Sequence, residues 1–419
     1  MYCFPHMKKF LFTALFSNDL GLPTRTVPVA VELAKRGHEI AFCNPGEAPR
    51  KLIASAGLKN LPPKPRPMSA VRPPPTQEIW NMDHFWAAFG YQDENFVRGD
   101  CEAIMALTTE YGADVIVDSW NISACIAARV LRKPLVTILQ GDMHPDSRGF
   151  IWWKEPAIDI PTPVPAVNKV LAEYGLPSIS KTEELNVGDL TLVVGTPETD
   201  PLPEKADVTY IGPILWQQPE AELPDWVSTL SRDKPLIWIY TGNPSYAPGY
   251  TTWGDSIVVL HACIAALADE DVPVILTTGH HVLPPEEVSS LPANFHYEPY
   301  IPAGFAVAER ADLLVHHGGQ GSSFMGPYTG TPAVIIPTYS ERESNARRIA
   351  AVGAGEFVVP VEDASGEKHV SVEEVRAKIK RVLSEPSYTE NARRLGEKMR
   401  AYGGASEAAR LIDEFAARL

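Results

Sequence analysis

The sequence predicts an α/β protein built from two doubly wound, Rossmann-like domains facing across a cleft. Three observations carry this. The chain has 419 residues, enough for two domains with separate cores. Short apolar runs alternate with segments of helical period, the pattern of βαβ units. The alternation fades over residues 214–226 and then restarts. The expected boundaries are 1–215 for the first domain, 216–232 for a linker, 233–388 for the second domain and 389–419 for a last helical segment.

The elements follow in order. KKFLFTALF reads as the first strand, residues 26–36 as a helix stopped by Gly37, and HEIAFCN as the second strand. Residues 61–75 hold seven prolines, which excludes helix and central strand. That stretch is either a stiff connector or a substrate-contacting loop. Residues 101–111 read as a helix, ADVIVDSW as a buried strand ending at Asp118, and KPLVTILQ as another. Residues 141–168 form a long irregular stretch with His144 and Trp152, and such loops are often functional. In the second half PLIWIY, VPVILTTG, NFHYEPY, ADLLVHH and TPAVIIP read as strands. A final helical segment breaks at Gly403-Gly404.

One turn stands out. HHGGQGSS lies between the buried strand ADLLV and a helix expected from Ser322 onward. Gly318, Gly319 and Gly321 let backbone N–H groups approach a ligand closely. The helix behind them aims unpaired N–H groups and a positive dipole end at the same point. That is a place for an anion, most simply a phosphate; the alternative is a tight turn without a ligand. In open α/β sheets ligands bind beyond the carboxyl ends of strands. By that rule Asp269-Glu270-Asp271, between a helix and a strand, reads as a solvated turn rather than a metal site.

Net charge is −15, which argues against nucleic acid or an anionic membrane as the main partner. Five scattered cysteines without a Cys-x-x-Cys fit a reducing cytoplasm and no structural zinc. The apolar run 10–16 is too short to span a bilayer and lacks a cleavage pattern, so it reads as a strand, not a signal peptide.

The stretch 316–345 resembles the nucleotide-sugar signature of family 1 glycosyltransferases. His317, Gly318, Gly319, Gly321, Ser322, Gly330, Pro332, Pro337, Asn345, Ala346 and Arg348 stand in register with it. Tyr300-Ile301-Pro302, Tyr210-Ile211-Gly212-Pro213 and Arg36-Gly37-His38-Glu39 extend the resemblance over nearly the whole chain. It implies the GT-B fold, an acceptor-binding first domain, a donor-binding second domain and a last helix crossing back to the first. It further implies an inverting, metal-independent transfer of sugar from a UDP- or dTDP-sugar to a small-molecule acceptor, with no cofactor beyond that co-substrate. A homodimer is compatible with it. The donor residues it implies are His317, Gly318, Gly319, Gly321, Ser322, Asn243, Tyr300, Ile301, Glu341 and Arg342, with Leu22, His144 and Trp152 on the acceptor side. His316, on the opposite side of the strand by alternation, is expected to be structural.

The sequence also departs from that pattern. The family's usual base position, a His or Asp in the first loop, is Leu22, which cannot accept a proton. Met325 stands where a Glu often holds the ribose, Ala303 replaces a Gln, and Glu341-Arg342 replaces an acid-Gln pair. Asp118, left without a His to orient, and Asp19 are the candidate bases. Arg342 faces the sugar or is a surface charge at a helix start. A protein of this fold that binds ligand or a partner without transferring sugar is the second functional reading.

Overall fold

The computed structural model describes residues 7–17, 20–71, 79–150, 159–218, 221–242, 252–279, 281–338, 340–365 and 367–419. Asp19, Trp152 and Asn243 lie outside the described residues. The chain forms two compact units. The first holds the described residues of 1–149 and 155–214, together with 402–419; the second holds 215–401.

The first unit is a seven-stranded parallel sheet of β1 (Lys9–Ala14), β2 (Glu39–Phe42), β3 (Lys59–Asn60), β4 (Val115–Ser119), β5 (Leu135–Leu139), β6 (Leu190–Val193) and β7 (Thr209–Tyr210), in the order β3-β2-β1-β4-β5-β6-β7. Its helices are α1 (Pro23–Lys35), α2 (Glu47–Ser55), α3 (Met82–Ala88), α4 (Glu94–Tyr111), α5 (Ile122–Leu131) and α6 (Val164–Glu173). Every residue of β4 and β5 is buried, as strands covered on both faces require. Helix α1 starts at Pro23, earlier than expected, because proline at the first turn has its φ preset and needs no N–H partner. The chain winds outward from β1 to β3, then returns to pair β4 with the other side of β1. The winding therefore reverses between β1 and β4.

The proline-rich stretch is stapled to α4 over its described part. Arg66 ion-pairs with the buried Asp100 at 2.7 Å and stacks over the Phe16 ring at 4.4 Å. A Cβ on Gly99 would lie 2.2 Å from the Pro67 ring, so only glycine admits this approach.

The second unit holds α7 (Asp225–Thr229), β8 (Ile237–Tyr240), α8 (Thr252–Leu267), β9 (Val274–Thr277), α9 (Pro285–Ser289), β10 (Phe295–Tyr297), α10 (Gly304–Arg310), β11 (Leu313–His316), α11 (Gln320–Thr329), β12 (Ala333–Ile335), α12 (Ser340–Ala351) and β13 (Gly355–Phe357). A β14 (Val361–Glu362) and β15 (Lys368–His369) hairpin, α13 (Val372–Ser384) and α14 (Pro386–Ala401) complete it. Its six-stranded parallel sheet runs β10-β9-β8-β11-β12-β13, so the winding reverses between β8 and β11. Leu313, Val315, Val334 and Ile336 are wholly buried in its core, each stabilising by roughly 1.5–3 kcal/mol.

Two boundaries differ from the sequence reading. The expected linker 216–232 is in its described part mostly packed structure: Val227, with Leu223, Trp226 and Leu230, closes a cluster on Leu236, Ile275 and Ile301. The last helical segment is also divided. Helix α14 stays with the second unit, where Gly396 lets it approach the Pro327 carbonyl of α11 closely. The following α15 (Gly404–Ala416) belongs to the first unit and packs on α1; its Arg36 and His38 neighbours both reach Asp413, at 3.4 and 3.0 Å. The break at Gly403-Gly404, with φ of 84° and 56°, makes that division.

Candidate functional site

The reversal of strand order in the second unit places the carboxyl ends of β8 and β11 side by side, with Tyr240 opposite His316. Such a reversal opens a crevice, because the two following segments turn away to opposite sides. The glycine turn leaves β11 at this point and enters α11, which starts at Gln320 rather than at Ser322. Its N-cap, Gly319, offers no side-chain acceptor to the first turn. Those first N–H groups have no partner within the helix and point along its axis. Gly321 has open space where a Cβ would stand.

His317 fixes the shape of the crevice. Its ring is held between two glycines. A Cβ on Gly242 would lie 2.8 Å from Nδ1, and one on Gly319 would lie 2.7 Å from Nε2. The Tyr240 ring meets it edge-on at 5.5 Å. Burial, then the Arg342 charge and His316, hold its pKa well below the ordinary histidine value, partly offset by the Tyr240 backbone. The ring is therefore neutral at physiological pH and meets a ligand as a hydrogen-bonding group, not as a cation.

His316 is buried, and its Nδ1 accepts from the Gly318 N–H at 3.1 Å. That bond assigns the proton to Nε2, and burial lowers the pKa to about 3. His316 is thus structural, as expected, and its ring nitrogen helps to set the turn. Gly318 itself has φ 89°, and a Cβ there would lie 2.8 Å from the Arg342 carbonyl oxygen. Asn345 Nδ2 donates to the Gly318 carbonyl at 3.0 Å and to Glu341 Oε1 at 2.8 Å, tying α12 to the turn. Alternation hides the role of His316, whereas the glycine two residues past β8 was a readable sign of Gly242.

The remaining donor-side residues separate. Ser322 is half-buried in the first turn of α11. Tyr300 is 49 % exposed beyond β10, and its burial on one side raises its pKa. The Ile301 side chain is 4 % exposed and belongs to the core with Ile275 and Val307, so its backbone is what it offers a ligand. Arg342 is a correction to the surface alternative, being 2 % exposed with Nη1 donating to Thr338 Oγ1 at 2.6 Å.

In the first unit Leu22 precedes α1, half-buried, and its carbonyl accepts from the Arg25 and Thr26 N–H groups. His144 is buried, with Nδ1 accepting from the Asp146 N–H at 3.1 Å, and burial lowers its pKa. Asp118 does not open onto a crevice, contrary to expectation. It is 1 % exposed. Oδ1 accepts from Thr13 Oγ1 at 2.5 Å, and Oδ2 accepts from the Asn121 N–H at 3.0 Å and from Cys125 Sγ at 3.5 Å. Burial outweighs these bonds and pushes its pKa up to about 7.

Asp269-Glu270-Asp271 lies away from the crevice as expected: Lys380 pairs with Glu270 at 2.8 Å, and Lys234 pairs with Asp271. Among the described residues, the one grouping of metal-ligand type is Asp363, Glu367 and His369, all exposed at the β14–β15 hairpin. A cavity of about 500 Å³ opens in the first unit, at the amino-terminal edge of its sheet beside Arg129, Lys133 and Leu135, away from every residue of the turn. No described helix is long and apolar enough to cross a membrane.

Two doubly wound parallel units, one carrying a glycine turn at its strand-order reversal, have the architecture of the GT-B glycosyltransferases. Comparison with known proteins agrees. Residues 261–415 match the model of the erythromycin biosynthesis protein CIII-like C-terminal domain. The calicheamicin glycosyltransferase CalG4 superposes with a TM-score of 0.73 at 19 % identity, covering 99 % of each chain. The glycosyltransferase VinC, solved with dTDP, gives 0.69 at 20 %, covering 98 % of this chain and 100 % of that one. The chain thus shares the fold of the GT-B glycosyltransferases. Among sequence relatives, a Bacillus subtilis protein named an uncharacterized UDP-glucosyltransferase is 29 % identical over 54 % of this chain and 52 % of its own. A Mycobacterium tuberculosis PGL/p-HBAD biosynthesis glycosyltransferase is 26 % identical over 70 % and 68 %. The match thus spans about half the length of the Bacillus relative.

Proposed function

We propose that the protein transfers a sugar from a UDP- or dTDP-linked donor to a small-molecule acceptor, with inversion and without a metal. The observation that carries this is the turn 317–322, where glycines let the backbone approach a ligand and the start of α11 aims its helix dipole at the β8/β11 crevice. Fixed donors of this kind stabilise a departing diphosphate as its bond to the sugar breaks. The dTDP bound to VinC and the UDP in the name of the Bacillus relative support a pyrimidine donor. Met325 at the usual ribose position leaves no carboxylate to demand a 2′-hydroxyl, so the two diphosphates should bind within about tenfold.

The proton of a hydroxyl acceptor needs a base, an effect worth about 10²–10⁴-fold. Leu22 cannot serve, and Asp118 is spent on Thr13 and Asn121. We assign the role to Asp19, with Asp118 holding the β1/β4 turn in place. The same two facts favour the second reading, a binder that transfers nothing. Thermal-shift screening with UDP, dTDP, GDP and ADP, then mass spectrometry with and without EDTA, separates the two. Turnover that survives EDTA and falls at least about a hundredfold in Asp19→Asn supports transfer. Tight nucleotide binding without donor cleavage supports the second reading, and a purine nucleotide binding best refutes the donor assignment.

A further inference from the structure

The residue after Glu341 is read from the sequence as either a surface charge or a contact to the sugar. Its position suggests something else. Arg342 lies in the first turn of α12, and its Cβ and carbonyl lie 3.1 and 2.8 Å from the Cβ position of Gly318. Its guanidinium is directed to Thr338, just past the carboxyl end of β12, the strand next to β11. Asn345, one turn further on, locks the same helix to the Gly318 carbonyl. Within α12, Glu341 accepts from Asn345, and Glu343 ion-pairs with Arg347.

We infer that Arg342 is a buried cation set behind the glycine turn, whose field stabilises the diphosphate of the donor. This rests on the donor-binding reading above. A charge held at 2 % exposure acts through protein rather than water, so its attraction for an anion at the turn is little screened. Burial is the main cause of the depressed basicity of His317, and the Arg342 charge adds to it, in keeping with a field that reaches the crevice. In this role Arg342 is a positioning residue: it strengthens the anion site through the turn without reaching the sugar. It also supplies, from within the chain, part of the positive charge that other transferases take from a metal ion.

The test titrates wild type, Arg342→Gln and Arg342→Lys with UDP, dTDP and uridine. The Gln variant should lose roughly tenfold or more in diphosphate affinity and keep its uridine affinity. The Lys variant, which keeps the charge and loses the planar fork, should stay within about threefold of wild type for the diphosphates. Equal losses in both variants would make the residue a packing element and overturn the inference. So would an unchanged UDP affinity in Gln, including one accompanied by altered preference among donor sugars. If either variant fails to fold, the wild type still decides. Its UDP-over-uridine preference should change less than about threefold between about 50 and 500 mM salt, whereas a steep fall would place the charge in solvent. A wild type that binds UDP and dTDP no better than uridine would remove the donor-binding reading itself, and this inference with it.

Discussion

The two units reverse their strand order alike and finish the reversal differently. Each sheet reverses its winding once, between β1 and β4 in the first and between β8 and β11 in the second. In the second unit the turn past the reversal is glycine, and its helix starts without a side-chain cap. In the first unit side chains stitch the corresponding turn shut. Thr13 of β1 donates to Asp118 of β4, Asn121 Nδ2 donates to the Ala14 carbonyl at 3.3 Å, and Asn121 also caps α5. Trp120 sits between them with φ 63°, a conformation uncommon for a large side chain, and its ring packs on Phe85 at 5.4 Å. Topology supplies the crevice. Whether it binds an anion is decided by what fills the four or five positions after the strand.

The largest effect should come from closing the open turn. Gly242→Ala and Gly318→Ala each force a Cβ against the His317 ring or the Arg342 carbonyl at a positive φ. Each should cost roughly 2–3 kcal/mol of stability and about a hundredfold in UDP affinity, read by denaturant unfolding and by titration. Asp118→Ala comes next. It leaves the Thr13 hydroxyl and the Asn121 N–H without an acceptor, so stability should fall by roughly 2–3 kcal/mol while UDP affinity stays unchanged. A loss of UDP binding there would break the contrast between the two turns.

Asp118 also gives the first turn a pH signature. The folded carboxyl, at about 7, keeps its proton where an unfolded aspartate, near 4, has lost it. The folded state therefore binds more protons between these values, and stability declines as pH rises through that window, then levels off above about 7. Between pH 5 and 8 the decline should be roughly 2 kcal/mol larger in wild type than in Asp118→Asn, measured by denaturant midpoints. Parallel curves would mean that the carboxyl is ionised throughout. The smallest effect is also the one with opposed signs. Gly321→Ala adds a methyl group in open space on a helix, so stability should rise by up to about 1 kcal/mol. The same methyl would stand in the first turn of α11, where the diphosphate is proposed to bind, so UDP affinity should fall.

The second unit's turn was legible in the sequence because everything that makes it is local. A buried strand, three glycines and a helix fall within about a dozen residues, and their spacing aims a helix start at the end of the strand. The first unit's turn was not legible, because its state depends on distant partners. Asp118 at a strand end reads as a group poised at a crevice, and only Thr13, 105 residues earlier, shows that it is sealed. Arg342 reads as a surface charge for the same reason, since its burial follows from the packing of α12 on Gly318, which the helix's own charged sequence does not announce. The last helices show a milder case: Gly403-Gly404 marked the break, but which piece stays with which unit depends on α14 packing against α11.

On the function proposed above, the glycine turn of the second unit, and not the matching turn of the first, holds the donor diphosphate. A crystal structure of the protein with dTDP tests this most directly. The account expects both phosphates at the carboxyl end of β11, within hydrogen-bond distance of N–H groups in the turn 319–322 and beside the His317 ring, with the Asp118–Thr13 bond intact. Diphosphate density at the β1/β4 turn, or density that leaves the 319–322 N–H groups untouched, would contradict it.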